Sequence, residues 1–260
     1  MKICFIGFGN MAKSLVHGLR PHPEYRLWAA SPSLFEGINS AGINTHSNNL
    51  AIIDEADVII LAVKPSQMKT VWNEIAAQIP NHCLVISIAA GLNLSWFGQE
   101  GKAHALVRAM PNIAAAVSQS ATALVANNAV SELQKKYAEQ IFSTVGVTAW
   151  LDNEEEMHIC TALSGSGPAY IFLFMEAMIE AAVTLGLPEE LSKTLTLQTF
   201  QGALQLAKTS HVSLHELRSH VTSPGGTTAA AIKEFQQQDL NKMVYLAIKT
   251  ACDRSHQLGT

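Results

Sequence analysis

The chain has 260 residues, 48% of them hydrophobic and 15% charged, with a mean hydropathy of +0.16; that is one large domain or two small ones, with too much apolar side chain for a disordered segment. Seventeen Lys and Arg against 21 Asp and Glu give a formal charge of −4, so no basic excess points to nucleic acid. No single apolar run reaches the roughly 18–20 residues of a bilayer span, and no membrane partner is expected. Lys2–Ile6 reads as a buried strand and Gly7 to Gly9 as its turn. Asn10–Leu19 then has helical spacing through Met11, Leu15 and Leu19. Arg26–Ala30, 57–63 and 84–88 are further strands, the last two apolar on both faces, as a parallel sheet covered on both sides requires. Residues 122–126 and 147–151 are expected to add strands at the sheet's far edge.

After Asp152 the pattern becomes helical. Residues 154–163 form one expected helix, broken at 164–167, and Pro168 opens the next, which runs to Leu185 and closes at Gly186. Helices over Glu189–Thr209, 214–221, 225–237 and 240–258 complete the chain. The expected fold is an α/β Rossmann-like domain with a mainly parallel sheet over 1–152, followed by an all-helical domain over 153–260. Ile171, Phe172, Phe174, Met175 and Met178 cover more than one helix face and call for burial against a second copy.

The first chemical motif is Gly7-Phe8-Gly9-Asn10-Met11-Ala12, a G-x-G-x-x-A between strand and helix. The first glycine makes the tight turn, the second admits a pyrophosphate, and the small third residue lets helix and strand pack. An NAD site usually carries an acid about 20 residues further on. Here the second strand ends Ala30-Ser31-Pro32-Ser33, whose hydroxyls suit a 2′-phosphate, although they also suffice to shape a turn. Ala62-Val63-Lys64-Pro65 and Ala89-Ala90-Gly91 follow two further strands at the edge where such sheets bind ligands.

In the second half, Val221-Thr222-Ser223-Pro224-Gly225-Gly226-Thr227-Thr228 precedes a helix, with Ser223 expected as its N-cap and Pro224 as its first residue. Two glycines at a helix start are unfavourable unless exposed backbone N–H groups serve an anion; an ordinary capped helix is the competing reading. Ser164-Gly165-Ser166-Gly167 fails the G-x-S-x-G elbow because residue 163 is Leu. His215-Glu216 lacks a second histidine at 219. The scattered Cys4, Cys83, Cys160 and Cys252 contain no C-x-x-C pair, so neither a zinc site nor a disulfide framework is expected, and a reducing, cytoplasmic compartment fits. The remaining histidines are read as surface residues.

Together these segments resemble the Δ1-pyrroline-5-carboxylate reductase family. The resemblance covers nearly the whole chain: FIGFGNMA, DVIILAVKP, AAG at 89–91, MPN at 110–112, TALSGSGPAYIFLF at 161–174, LGLP at 185–188 and, most specifically, HELRSHVTSPGGTTAAAIKEF at 215–235. It implies a Rossmann cofactor domain, a helical dimerisation domain, an active site between them, and a homodimer or higher homo-oligomer. It implies NADP(H) as preferred cofactor, NAD(H) being possible, and pyrroline-5-carboxylate and L-proline as substrate and product. Cofactor positions carry over to Ile6, Gly7, Phe8, Gly9, Asn10, Met11, Ser31, Asn49, Ala62, Val63, Lys64, Pro65, Ala89 and Ala90. Substrate positions carry over to Ser223, Gly225, Gly226, Thr227 and Thr228, with the Thr228 hydroxyl in the catalytic role. The sequence departs from the family pattern at Ile113-Ala114-Ala115, where relatives commonly read TPA, and at His220, where they often carry Asn. Another NADP-dependent imine or 3-hydroxy-acid reductase, or a non-catalytic NADP-binding protein, are the alternatives.

Overall fold

The computed structural model describes residues 1–98 and 104–259. The chain divides into two compact units, Met1–Pro168 with Lys249–Thr260, and Ala169–Ile248. This division falls later than the sequence change at 152, because the short helix over Glu156–Cys160 packs on the sheet and the last helix returns to the first unit.

Among the described residues the first unit holds a nine-stranded sheet. In chain order its strands and helices are β1 (Lys2–Ile6), α1 (Asn10–Leu19), β2 (Arg26–Ala30), β3 (Gly37–Ile38), β4 (Asn44–His46), α2 (Leu50–Ile53), β5 (Val58–Leu61), α3 (Pro65–Ile75), β6 (Leu84–Ser87), β7 (Ala105–Met110), β8 (Ser120–Ala126), α4 (Glu132–Ser143), β9 (Gly146–Trp150) and α5 (Glu156–Cys160). The strand order is β3-β4-β2-β1-β5-β6-β7-β8-β9, parallel except for the β3–β4 and β7–β8 pairs. The two late strands do lie at the far edge.

Period-2 alternation sends each central strand's side chains to two cores. Ile3, Phe5, Val58, Ile60, Leu84 and Ile86 pack under α1 and α4, whereas Cys4, Ile6, Ile59, Leu61 and Val85 pack under α2 and α3. Helix α1 buries Ala12, Leu15, Val16 and Leu19; each large aliphatic side chain contributes roughly 1.5–3 kcal/mol before the entropy of ordering it is counted. The chain leaves β1 for β2 on one side and returns to β5 on the other. The β1/β5 junction is therefore the topological switch point where ligands of open α/β sheets bind.

The second unit is helical: α6 (Gly167–Thr184), α7 (Glu189–Thr209), α8 (Leu214–His220), α9 (Thr227–Gln237) and α10 (Leu240–Gly259), the first and last of which extend into the other unit. Phe174 of α6 meets Phe200 of α7 at 6.2 Å and Phe235 of α9 at 6.1 Å between ring centroids. Yet α6 has no buried residue, and Phe172 and Leu173 are more than half exposed.

Two expectations are corrected in this region. The Ser164–Gly167 segment does not break the helix: residues Thr161–Gly165 form a π turn that carries α5 into α6. As a result Glu156–Thr184 is a continuous 29-residue helix that contains an 18-residue stretch of mean hydropathy 1.3, long and apolar enough to cross a membrane by length and composition. The sequence run missed this because small and polar residues at 164–167 interrupt the apolar count without interrupting the backbone.

Candidate active site

Four loops leave the carboxyl ends of β1, β2, β5 and β6 around the switch point. Gly7 sits at φ +91°, and a β-carbon there would lie 2.8 Å from the carbonyl carbon and oxygen of Ala62. The turn after β1 is thus pressed against the end of β5, a contact that only glycine permits. Gly9 differs, since a β-carbon on it would meet nothing within 4 Å. Gly9 is also the N-cap of α1, with no side-chain cap and no acidic residue in the first turn. The first N–H groups of α1, at Asn10, Met11 and Ala12, therefore have no intrahelical partner and carry the positive end of the helix dipole. An open cradle of this kind fits the pyrophosphate of a dinucleotide.

At the end of β2, Ser31 Oγ and Ser33 Oγ lie 3.3 Å apart, and the backbone closes a turn from Leu34 N–H to Ser31 O at 2.9 Å. Both hydroxyls are on the same side of a loop that has no carboxylate at these positions, which suits a 2′-phosphate. Asn49 precedes α2 and donates from Nδ2 to Glu74 Oε2 at 2.9 Å. Ala62 N–H donates to Ile6 O at 2.8 Å, tying the 62–65 loop to β1, and exposed Lys64 is the N-cap of α3 with Pro65 at its first position. After β6, the Ala89 N–H donates to Ser87 Oγ at 3.3 Å. The first unit thus brings Ile6, Gly7, Phe8, Gly9, Asn10, Met11, Ser31, Ala62 to Pro65, Ala89 and Ala90 to loops at one end of the sheet.

In the second unit the 222–228 segment corrects the expected cap. Ser223 does not cap α9 and Pro224 is not its first residue. Gly226 N–H donates to Ser223 O at 3.0 Å and closes a turn, and Gly225 at φ +72° leaves the helical region. Gly226 is the N-cap, again without a side-chain cap, and intrahelical bonding starts from Ala230 N–H to Gly226 O at 3.1 Å. The N–H groups of Thr227, Thr228 and Ala229 have no intrahelical partner, and that turn carries no acid. A β-carbon at Gly226 would approach Ser223 Oγ to 2.5 Å, so a larger residue there would turn that hydroxyl aside. Thr228 is half-buried and Thr227 exposed.

Asn112 is buried and fully used: its N–H donates to Ser120 Oγ (3.1 Å), its Nδ2 to Ser164 O (3.0 Å), and its Oδ1 accepts from Ala114 N–H (3.1 Å). The departures at Ile113 and Ala114 therefore leave this turn anchored. Ser164 Oγ donates back to Cys160 O at 2.9 Å, a local helix bond rather than a nucleophile's arrangement. Burial pushes the Cys4 thiol up to about 12, and raises Cys83 as well, so neither supplies a thiolate.

Sequence reasoning missed three groups. Arg108, in the middle of β7, is only 2% exposed; its Nη1 donates to Glu154 Oε1 at 3.0 Å while Nη2 has no partner among the described residues. The same oxygen accepts from Leu94 N–H at 2.8 Å, so Glu154 fixes the chain just beyond the Ala89–Gly91 turn. His104 and His158 are buried, correcting the surface reading of the histidines, and His158 Nδ1 lies 2.9 Å from Ser255 Oγ. Nothing local signals these contacts, since Ser255 lies 97 residues away.

The doubly wound sheet, the open phosphate cradle at its switch point and the separate helical unit define a nicotinamide-dependent oxidoreductase of the Rossmann type. Residues 2–91 match the family described as "NADP oxidoreductase coenzyme F420-dependent", and residues 154–258 match "Pyrroline-5-carboxylate reductase dimerisation". The pyrroline-5-carboxylate reductase of Pseudomonas aeruginosa is 43% identical, over 99% of this chain and 97% of that one. The solved reductase of Coxiella burnetii superposes with a TM-score of 0.92 at 41% identity, covering 99% of this chain and 98% of its own. That of Plasmodium falciparum, determined with NADP bound, superposes with a TM-score of 0.90 at 33% identity, covering 100% and 98%. The chain belongs to the pyrroline-5-carboxylate reductase family, whose activity is reduction of a C=N bond.

Proposed function

We infer that the protein reduces the ring C=N bond of Δ1-pyrroline-5-carboxylate to L-proline with NADPH as preferred donor and NADH as alternative. The dinucleotide, when bound, supplies the hydride. Gly7, Phe8, Gly9, Asn10 and Met11 hold its pyrophosphate, Ile6, Ala62, Val63, Lys64 and Pro65 line the same edge, and Ser31 binds the 2′-phosphate. Asn49 bounds the adenosine end; Ala89 and Ala90 leave room for the nicotinamide. Residues 1–152 form the cofactor domain in this reading and 153–260 the substrate and dimerisation domain.

The observation that carries the substrate assignment is the set of unused N–H groups at the start of α9. Thr227, Thr228 and the Ser223–Gly226 turn hold the carboxylate there. A small cyclic imine arrives protonated near neutral pH, so the chain need not supply a strong acid, and the absence of a histidine in this loop follows. The iminium N–H donates to Thr228 Oγ. As hydride adds to the ring carbon, the C=N π pair becomes the nitrogen lone pair, and Thr228 keeps the nitrogen oriented throughout. The apolar surface of α6 is covered in a homodimer or larger assembly, and the enzyme works in the cytoplasm.

NADPH oxidation with pyrroline-5-carboxylate tests this reading on Thr228 variants. Loss of a hydrogen bond to a charged group costs roughly 1.5–3 kcal/mol, so Thr228→Ala should lower kcat/KM about 10- to 150-fold. Cofactor affinity should hold, and Thr228→Ser should keep most activity. An Ala variant with wild-type kinetics and a lowered Tm would leave Thr228 as packing only.

A further inference from the structure

Away from the cofactor loops, three side chains of the first unit converge. Glu155 and His158 are spaced i, i+3 at the start of α5, which puts both on one face. His256 reaches them from the last turn of α10. Each offers a ligand atom, and these atoms lie within 4.8 Å of one another. We propose that Glu155, His158 and His256 form a binding site for one divalent ion of the zinc class.

The chemistry and the mechanics both favour it. Two imidazoles and one carboxylate suit a borderline ion such as Zn²⁺, whereas Mg²⁺ and Ca²⁺ take oxygen ligands. His158 is buried and its ring is fixed by the 2.9 Å contact of Nδ1 with Ser255 Oγ. A held inner histidine with an outer hydrogen bond is the arrangement that orients metal-binding imidazoles. The other two ligands can adjust: the side chains of Glu155 and His256 are 74% and 47% exposed, 3.9 Å apart. Tetrahedral bonds of about 2.0–2.1 Å place ligand atoms roughly 3.4 Å apart, so closure draws together atoms that now lie within 4.8 Å by moving these exposed groups. The rings of His158 and His256 are stacked, with centroids 3.8 Å apart and planes 27° from parallel, and His256 must tilt out of this stack to point its nitrogen at the ion. Arg108 brings positive charge nearby, but Glu154 neutralises it at 3.0 Å, leaving the Glu155 carboxylate as the net local charge. Three protein ligands leave a fourth position for water.

The ion would fasten the end of α10 to α5. That end already abuts the turn after β6, since a β-carbon at Gly91 would lie 2.8 Å from Leu258 O. The site is independent of the imine-reductase reading.

Isothermal titration of the chelator-treated full chain with zinc sulfate, in buffer without competing ligand, is the test. The expected result is one zinc per chain, with no matching heat from Mg²⁺ or Ca²⁺. At free zinc near 100 times Kd, Tm should rise by roughly 5–10 °C. His256→Gln and Glu155→Gln alter exposed side chains, so the fold should persist while zinc affinity falls at least tenfold. His22→Gln, a remote surface change, should leave binding intact. The absence of stoichiometric zinc binding, or equal affinity in wild type and His256→Gln, would overturn the proposal. In that case the three residues form only a stacked pair with a weak ion contact.

Discussion

Gly7 and Gly9 stand two residues apart in one motif, yet the structure gives them opposite roles, and alanine at each separates fold from cradle. At Gly9, φ is −79° and a β-carbon meets nothing within 4 Å, so alanine fits without strain. It gains about 0.4–1 kcal/mol by restricting the unfolded chain, and loses up to about 1 kcal/mol as a poorer N-cap. The net is near zero, and Tm of the cofactor-free protein should move by less than about 3 °C. The added methyl group occupies the space through which the pyrophosphate approaches, so the Kd for NADPH should rise at least tenfold, about 1.4 kcal/mol. At Gly7, φ is +91° and the new β-carbon would sit 2.8 Å from Ala62 backbone atoms. Left-handed backbone costs alanine about 1–2 kcal/mol, and with the overlap a loss of roughly 2–4 kcal/mol and at least about 5 °C in Tm is expected. Thermal denaturation of both cofactor-free variants, paired with fluorescence titration by NADPH, reads both effects. A Gly9→Ala protein that binds NADPH with wild-type affinity would refute the cradle. Equal Tm losses in the two variants would refute the assignment of their roles.

Replacing Glu154 by Leu strands the buried Arg108 guanidinium. Breaking a buried pair costs about 3–5 kcal/mol, and because the Glu154 side chain is one-quarter exposed about 2–3 kcal/mol is expected. Chemical denaturation should show that loss, with most of it recovered in the Arg108→Met, Glu154→Leu double variant; a loss under about 1 kcal/mol would mean that solvent already supports the guanidinium. Ser31→Asp should move the NADPH/NADH preference at least tenfold toward NADH, since a carboxylate set against the 2′-phosphate repels it; an unchanged ratio would take Ser31 away from the 2′-phosphate. Light scattering should report at least twice the 28.0 kDa chain mass, and a stable active monomer would leave the exposed face of α6 unexplained.

Where a short stretch of sequence contains its own physical cause, the reading and the structure agree. The apolar runs at 2–6, 57–63 and 84–88 had to be central strands, because no other element buries both faces of so short a segment. The G-x-G-x-x-A between strand and helix placed the cofactor end of the sheet, and the 215–235 block carried the family. Strand β7 lacked such a signal: Arg108 interrupts its apolar run, and its partner Glu154 lies 46 residues on. Strands β3 and β4 are two and three residues long, too short for any period to register. The start of α9 was misplaced because Ser-Pro is a good local cap, whereas the Ser223–Gly226 turn and the φ of Gly225 outweigh it. The hydroxyl-and-glycine stretch at 164–167 reads as a break, and only the fold keeps it helical through a π turn. Composition and periodicity thus determined the layers, the glycine motif marked the ligand end of the sheet, and the 222–228 loop was singled out by the family resemblance. The buried Arg108–Glu154 pair and the meeting of Glu155, His158 and His256 were decided by tertiary structure alone, because the groups that stabilise each other there are distant in the chain and leave no local pattern.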